Sequence, residues 1–183
     1  EDVIRAGMAL VPSDRRSAGA FQVLSILDNV AAASLHKVSC WGILRPKLMK
    51  ELANTYLSRM NLKGRSIEQK IGTLSGGNQQ KVVLARGLAT EPRVLLLHEP
   101  TRGIDVGAKA EIYQILNQLA ARGIAILIVS SELPELIGQC DRIFAMHDGG
   151  ICGEFSRLEA NEERILASAM GHPDQPVSDR IVQ

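Results

Sequence analysis

Leu74-Ser75-Gly76-Gly77-Asn78-Gln79-Gln80-Lys81 runs directly into Val82-Val83-Leu84-Ala85-Arg86-Gly87-Leu88-Ala89. The second stretch carries apolar residues at helical spacing and predicts an amphipathic helix. Ser75 stands where the N-cap of that helix belongs. Two glycines after a serine let the backbone come very close to another group. A helix N-terminus with such freed N–H groups is an anion site, and phosphate is the usual anion. A plain Gly-Gly turn before a helix has the same letters, so the following segment has to decide between the two.

That segment is Arg93-Val94-Leu95-Leu96-Leu97-His98-Glu99-Pro100. A short apolar run bounded by Pro92 and Pro100 predicts a fully buried parallel strand. An acid at the carboxyl end of such a strand faces the crevice where open α/β sheets bind ligands. Thr101 to Lys109 then reads as a turn leading into a helix over Val106 to Arg122, ended by Gly123. Ile124 to Val129 is a second buried strand, Leu133 to Gly138 a short helix and Arg142 to Met146 a third strand. Asp148-Gly149-Gly150 is a tight-turn signal, so Ile143 to Met146 and Ile151 to Phe155 should form a hairpin. Leu158 to Met170 reads as a helix. Upstream, Ala9 to Pro12 ends a strand, Phe21 to Leu35 carries a helical pattern, and Arg45-Pro46 opens a helix reaching Leu62. Strand and helix in alternation argue for an α/β fold with a parallel sheet.

The chain has 183 residues, enough for one domain and its core, and a formal net charge of +1. That balance gives no electrostatic case for nucleic acid or an anionic membrane surface. No apolar run approaches the roughly 20 residues of a membrane span. Cys40, Cys140 and Cys152 lack metal-ligand spacing and fit buried small hydrophobes in a reducing compartment. Lys37, Lys50, Lys63, Lys70, Arg5 and Arg180 read as solvated surface, as do His36, His147 and His172.

Leu74 to Gln79 resembles the signature motif of the ABC transporter ATPases. Val94 to Glu99 resembles their Walker B strand, and Gly103-Ile104-Asp105 their D-loop. The wording LSGGNQQK followed by EPTRGIDVGAK is similar to the second cassette of the tandem ATPase subunit in bacterial monosaccharide importers, the ribose, galactose, xylose and arabinose class. Ile128 to Glu135 and Asp141-Arg142-Ile143 match that class too. The resemblance implies a P-loop NTPase-like cassette with a mostly parallel but incomplete sheet and an inserted helical subdomain. It assigns 1–171 to a partial cassette, with the helical subdomain at about 20–90 and the Walker B to C-terminal core at 91–171. The tail, 172–183, reads as disordered.

In that family, cassettes pair head to tail, and each ATP lies between the phosphate loop of one and the signature of the other. The resemblance therefore implies that Ser75, Gly76 and Gly77 touch ATP held by a partner cassette, with Asn78 and Gln79 supporting that contact and Asp105 crossing the same interface. Glu99 stands at the general-base position. The implied partners are a second cassette, a transmembrane permease facing the helical subdomain and, indirectly, a periplasmic sugar-binding protein. The implied place is the cytoplasmic face of the inner membrane, as a peripheral subunit.

The chain departs from the family pattern in ways that bear on ATP and Mg²⁺. No G-x-x-x-x-G-K-[ST] phosphate loop occurs. The family's Asp-Glu at the strand end is His98-Glu99 here, and a neutral imidazole suits a hard, oxygen-loving ion poorly. No partner stands at metal spacing from His98, so no metal site is expected of it. Pro12-Ser13-Asp14-Arg15 replaces the class string Pro-Glu-Asp-Arg. Ser131 takes the place of a switch histidine, which is usual for the second cassette. Residue 1 is Glu. With the missing phosphate loop, this points to a fragment whose own site is degenerate and which alone hydrolyses little ATP. Two alternatives stay open: an ATPase domain with its phosphate loop upstream of residue 1, and a non-transport binding module of the ABC type.

Overall fold

In the computed structural model, which describes residues 2–62 and 66–172, a short helix α1 (Asp2–Arg5) leads into β1 (Met8–Val11). A π-type turn (Arg15–Gly19) follows, then helices α2 (Ile26–Ala31) and α3 (Leu35–Val38), a ribbon of β2 (Ser39–Cys40) and β3 (Ile43–Leu44), and α4 (Pro46–Arg59). Next come a 3₁₀ turn (Ile71–Thr73), α5 (Gly76–Ala89), β4 (Val94–His98), α6 (Val106–Ala120), β5 (Ala125–Val129) and α7 (Leu133–Gln139). The chain ends in β6 (Arg142–His147), β7 (Gly150–Ser156) and α8 (Glu162–Ala169). Two compact units result, Glu1–Val129 and Ser130–Gln183. Within the first unit, one hydrophobic cluster runs from Ala9 to Leu119 through helical segment and sheet alike. Residues 173–183 of the expected tail, with Lys63 and Arg180, lie outside the described residues.

The first unit is built on a parallel sheet of order β1-β4-β5, as the alternation predicts. Its registers place Val11, Leu97 and Ile128 in one row and Leu10, Leu96 and Leu127 in the next. Odd and even rows point to opposite faces. The face of Val11, Leu95 and Leu97 is sealed, each at most 1% exposed, under α5 and α6. The other face is open, with Leu10 58% and Leu127 53% exposed. The strand β4 is thus buried on one face rather than both, because no element of this unit covers the second.

Helix α5 crosses the sealed face with Gly87 against Ala9 and Leu95, and it also packs against α2, α4 and α6. Ten of its 14 residues are buried. Each fully buried Leu or Val contributes about 1.5–3 kcal/mol, so this helix anchors the unit. Burial lowers the pKa of Arg86, whose guanidinium lies 5.8 Å from the Phe21 ring centre.

Several local expectations shift for identifiable reasons. The pattern from Phe21 to Leu35 yields only α2, since Ser25 and Asp28 form a reciprocal capping box that starts the helix at Ile26. The ribbon β2–β3 turns at Trp41 and Gly42, both at positive φ, a turn that the sequence signals only through Gly42. Lys37 is no solvated lysine: it pairs with Glu91 at 3.0 Å and donates to the Ala89 carbonyl at 3.1 Å, closing the C-terminal end of α5. The same ion pair lowers the pKa of Glu91.

The second unit is a hairpin with helices. β6 pairs antiparallel with β7 through Asp148 and Gly149, both at positive φ as a type I′ turn requires. Ile143, Ala145, Phe155 and Ile165 form its small core. The final helix begins only at Glu162, where Asn161 caps it, because Leu158 to Ala160 turn back on Ser156. His147 is not partnerless: its Nδ1 lies 2.9 Å from the Ala169 carbonyl.

Among the described residues, β5 has β4 as its one neighbour and β6 has β7 as its one neighbour. Each leaves an edge of unpaired backbone groups. Unpaired groups that become buried cost about 1–3 kcal/mol each, against a total stability of about 5–15 kcal/mol. Residues 1–183 by themselves should therefore be marginally stable or aggregate; a sharp, reversible thermal transition from a monomer in solution would contradict this.

Glu99 holds φ at +48° directly before Pro100, although a residue preceding proline favours extended backbone. Such strain costs about 1–3 kcal/mol. Glu99→Gly should raise stability by about 1 kcal/mol, the relief exceeding glycine's entropic cost; chemical denaturation showing a loss of that size would refute the strain.

Candidate functional site at the start of helix α5

The approach to α5 is fixed before the signature begins. Ile67 to Thr73 lies antiparallel to Gln22–Leu27, with Ile26 N–H donating to the Gln69 carbonyl at 2.9 Å and Ile71 N–H to the Leu24 carbonyl at 3.1 Å. A Cβ on Gly72 would come within 2.9 Å of the Gln22 carbonyl oxygen, so glycine is needed there. Asn29, 1% exposed, accepts from the Phe21 N–H at 2.8 Å and donates to the carbonyls of Phe21 and Ser25. Its three bonds fix the loop that runs alongside.

Ser75 is the N-cap of α5 in extended backbone, φ −61° and ψ 157°, as its sequence position predicts. Its hydroxyl makes no cap hydrogen bond, and the residue is exposed. The first bond of the helix runs from the Gln79 N–H to the Ser75 carbonyl at 2.9 Å. The leading N–H groups of α5 have no partner within the helix and lie at the positive end of its 14 residues. Gln79 turns back and donates Nε2 to the Leu74 carbonyl at 3.0 Å, so its carboxamide braces the loop from behind. Asn78 is half-buried beside it.

The two glycines are set against the segment following β4. A Cβ on Gly76 would meet the Gly103 carbonyl oxygen and an Arg15 Nη2, each at 3.3 Å. A Cβ on Gly77 would lie 2.5 Å from that of Ala108, in the first turn of α6. One helical turn later, Lys81, 4% exposed, is ion-paired with Glu111 of α6. Asp105 caps α6, its Oδ1 accepting from the Ala108 N–H at 2.8 Å. The structure therefore brings Ser75, Gly76, Gly77, Asn78, Gln79 and Asp105 to one place.

Glu99 sits apart, just past the end of β4. Its N–H extends the ladder to the Val129 carbonyl at 2.7 Å, and its own carbonyl accepts from Arg102 N–H at 3.2 Å. His98 is the last residue of β4, exposed and in register with Val129. Among the described residues no group of three or more His, Cys, Asp or Glu could hold a metal ion. No helix of the described residues is long and apolar enough to cross a membrane. A cleft of about 200 Å³ lined by Tyr56, Arg59, Leu88, Glu91 and Arg122 lies at the opposite end of α5.

Sequence reading placed Arg15 only in the Pro12–Arg15 string and gave Ala108 and Glu111 no role, because each acts through a partner more than 25 positions away in the chain.

A family model described as ABC transporter matches residues 2–102. The chain is 51% identical over 171 residues to the xylose import ATP-binding protein XylG of Moorella thermoacetica, covering 93% of this chain and 34% of that protein. It is 45% identical over 170 residues to the ribose import ATP-binding protein RbsA of Oceanobacillus iheyensis, again covering 93% of this chain and 34% of that one. It thus spans about a third of the length of these curated relatives. The solved ATP-binding cassette MJ1267 of an ABC transporter superposes with a TM-score of 0.76 at 21% identity, over 93% of this chain and 70% of the other. With that fold, that order of motifs and those relatives, the chain belongs to the ABC transporter ATP-binding family.

Proposed function

We propose that this chain supplies the Ser75–Gln79 loop to ATP held by a partner cassette in an importer of monosaccharides. The carrying observation is the start of α5: an exposed Ser75 whose hydroxyl is not used as a cap, at the positive end of a long helix. The names of the relatives, xylose and ribose import proteins, support a pentose or a related sugar as cargo. A permease and, through it, a sugar-binding protein are then the further partners, and the membrane's cytoplasmic face is the place of work. Energy from ATP binding and hydrolysis at the shared site would be coupled to sugar uptake.

The residues fit a nucleotide differently at the two possible sites. Toward a partner's ATP, Ser75 and the α5 N–H groups would bind phosphate oxygens and Asp105 would stand beside them at the N-terminus of α6. Toward an ATP of its own, the sequence carries no phosphate-loop motif, no metal-holding cluster of carboxylates stands among the described residues, and His98 replaces the carboxylate that would support Mg²⁺. The 183-residue chain should therefore bind Mg-ATP very weakly, and micromolar affinity by titration calorimetry would contradict that. When it is assembled with a cassette that has its own phosphate loop, Ser75→Arg should lower ATP turnover at least about 100-fold by blocking the loop. Unchanged turnover would sink the trans-contact reading.

A second reading is favoured by Glu99. Its strained backbone lies at the carboxyl end of β4, where ligands bind in such sheets, and β5 has an open edge able to take a further parallel strand. In this reading a phosphate loop from polypeptide outside residues 1–183 completes a site with Glu99 as general base. In such a polypeptide His98→Asp should raise ATP turnover or Mg²⁺ affinity at this site. No change in either would leave the site idle and the trans role as the remaining one.

A further inference from the structure

The loop following β1 carries a contact that neither the motifs nor the relatives' names assign. Arg15 Nη1 donates to the Arg102 carbonyl at 2.9 Å, and Nη2 donates to the Gly103 carbonyl at 3.2 Å. Gly103 is in the left-handed region at φ +68°, two residues ahead of Asp105. Two neighbouring carbonyls turned to one side need two donors in a fixed fork, which a guanidinium provides and an ammonium does not. The same Nη2 is the group that a Cβ on Gly76 would meet at 3.3 Å, and Ile104 Cγ2 lies 3.5 Å from that position. Arg15 thus stands where the start of α5 and the approach to α6 meet.

Two further contacts run in the same direction along the α5–α6 seam, the close approach of Gly77 to Ala108 and the pairing of the buried Lys81 with the half-exposed Glu111. They fix the helices side by side but leave the loops at their tips to be held separately. The fork at Arg15 supplies that hold, and it is tethered through Pro12, Ser13 and Asp14 to the end of β1.

We infer that Arg15 is a positioning residue that clamps the Ser75–Gln79 loop and the Asp105 loop into one rigid edge, so that both reach a partner's nucleotide together. The part about the nucleotide rests on the trans-contact reading; the clamp itself does not. The glycines at 76 and 77 then have an intrachain reason to be glycine, which is to let the two loops close on Arg15 and Ala108. Movement of the loop after β1 would shift both tips at once.

The test is residue-resolved amide hydrogen exchange in the chain assembled with a partner cassette, without nucleotide, comparing Arg15→Lys and Arg15→Ala with the parent. Arg15→Lys keeps the charge and the stem but loses the fork. Exchange should rise together at Gln79 and Gln80 and at Ala108 and Lys109, about tenfold for Arg15→Ala and less for Arg15→Lys, in line with the loss of one or two hydrogen bonds. Amides of Leu95 to Leu97 should stay unchanged. A rise at one loop only, no rise, or an equal rise across β4 overturns the clamp, the last because it reports plain loss of stability. In an assembly with an ATP-binding partner cassette, Arg15→Lys should also lower turnover while Ser75 is intact. Coupled exchange with unaltered turnover would preserve the clamp and count against the trans-contact reading, whereas uncoupled exchange overturns the clamp whatever the turnover does.

Discussion

The close approach of α5 to α6 is the constraint on which the rest of the first unit depends. Helix α5 is buried along most of its length by β1, α2, α4 and α6. A helix held on so many sides cannot slide or rotate without opening voids, each of which costs packing energy. Its seam with α6 is set by Gly77 against Ala108, a separation that leaves no room for a β-carbon. Lys81 buries its ammonium beside Glu111 one turn further on, and removing either partner would leave a buried charge or break the pair. The position of the helix start, and of the exposed serine on it, follows from this packing rather than from the loop's own preferences.

The sheet shows the opposite condition. Its rows of Val11, Leu95 and Leu97 are sealed, while Leu10 and Leu127 on the other face stay open to solvent. Parallel sheets are ordinarily covered on both faces, because their strands are apolar throughout. The strand β5 follows that rule in composition, Ala-Ile-Leu-Ile-Val, while its odd-numbered residues are exposed. Composition and exposure therefore disagree at β5, and the disagreement is local: helices on the sealed face are fully packed. The chain has the residues of a two-faced sheet and covers one face within this unit.

The strands of the parallel sheet, the hairpin at Asp148-Gly149 and the N-cap at Ser75 were legible because each is written in adjacent letters. An apolar run between prolines, an Asp-Gly pair, or a serine before a periodic stretch acts through local geometry. What was not legible acts across distance. Asn29 reads as a helix residue, yet its carboxamide holds the Phe21 backbone. Lys37 reads as surface until Glu91 and the Ala89 carbonyl are brought to it. The glycines at 76 and 77 read as freedom for a ligand's approach, although their immediate demand comes from Arg15, Gly103 and Ala108 of the same chain. The burial of β4 was over-read for a related reason: apolar letters state that a face can be buried, and only the arrangement of other elements decides whether it is.

Glu99 shows how the chain keeps a conformation its local sequence disfavours. On one side its N–H is still held in the sheet by the Val129 carbonyl. On the other, Pro100 is buried and Thr101, 1% exposed, lies 3.3 Å from the Tyr113 hydroxyl of α6. The chain must leave the sheet and reach those two anchors within a single residue, and a left-handed backbone makes that turn. Contacts on both flanks thus hold the turn in place, and glycine at this position would relieve the strain.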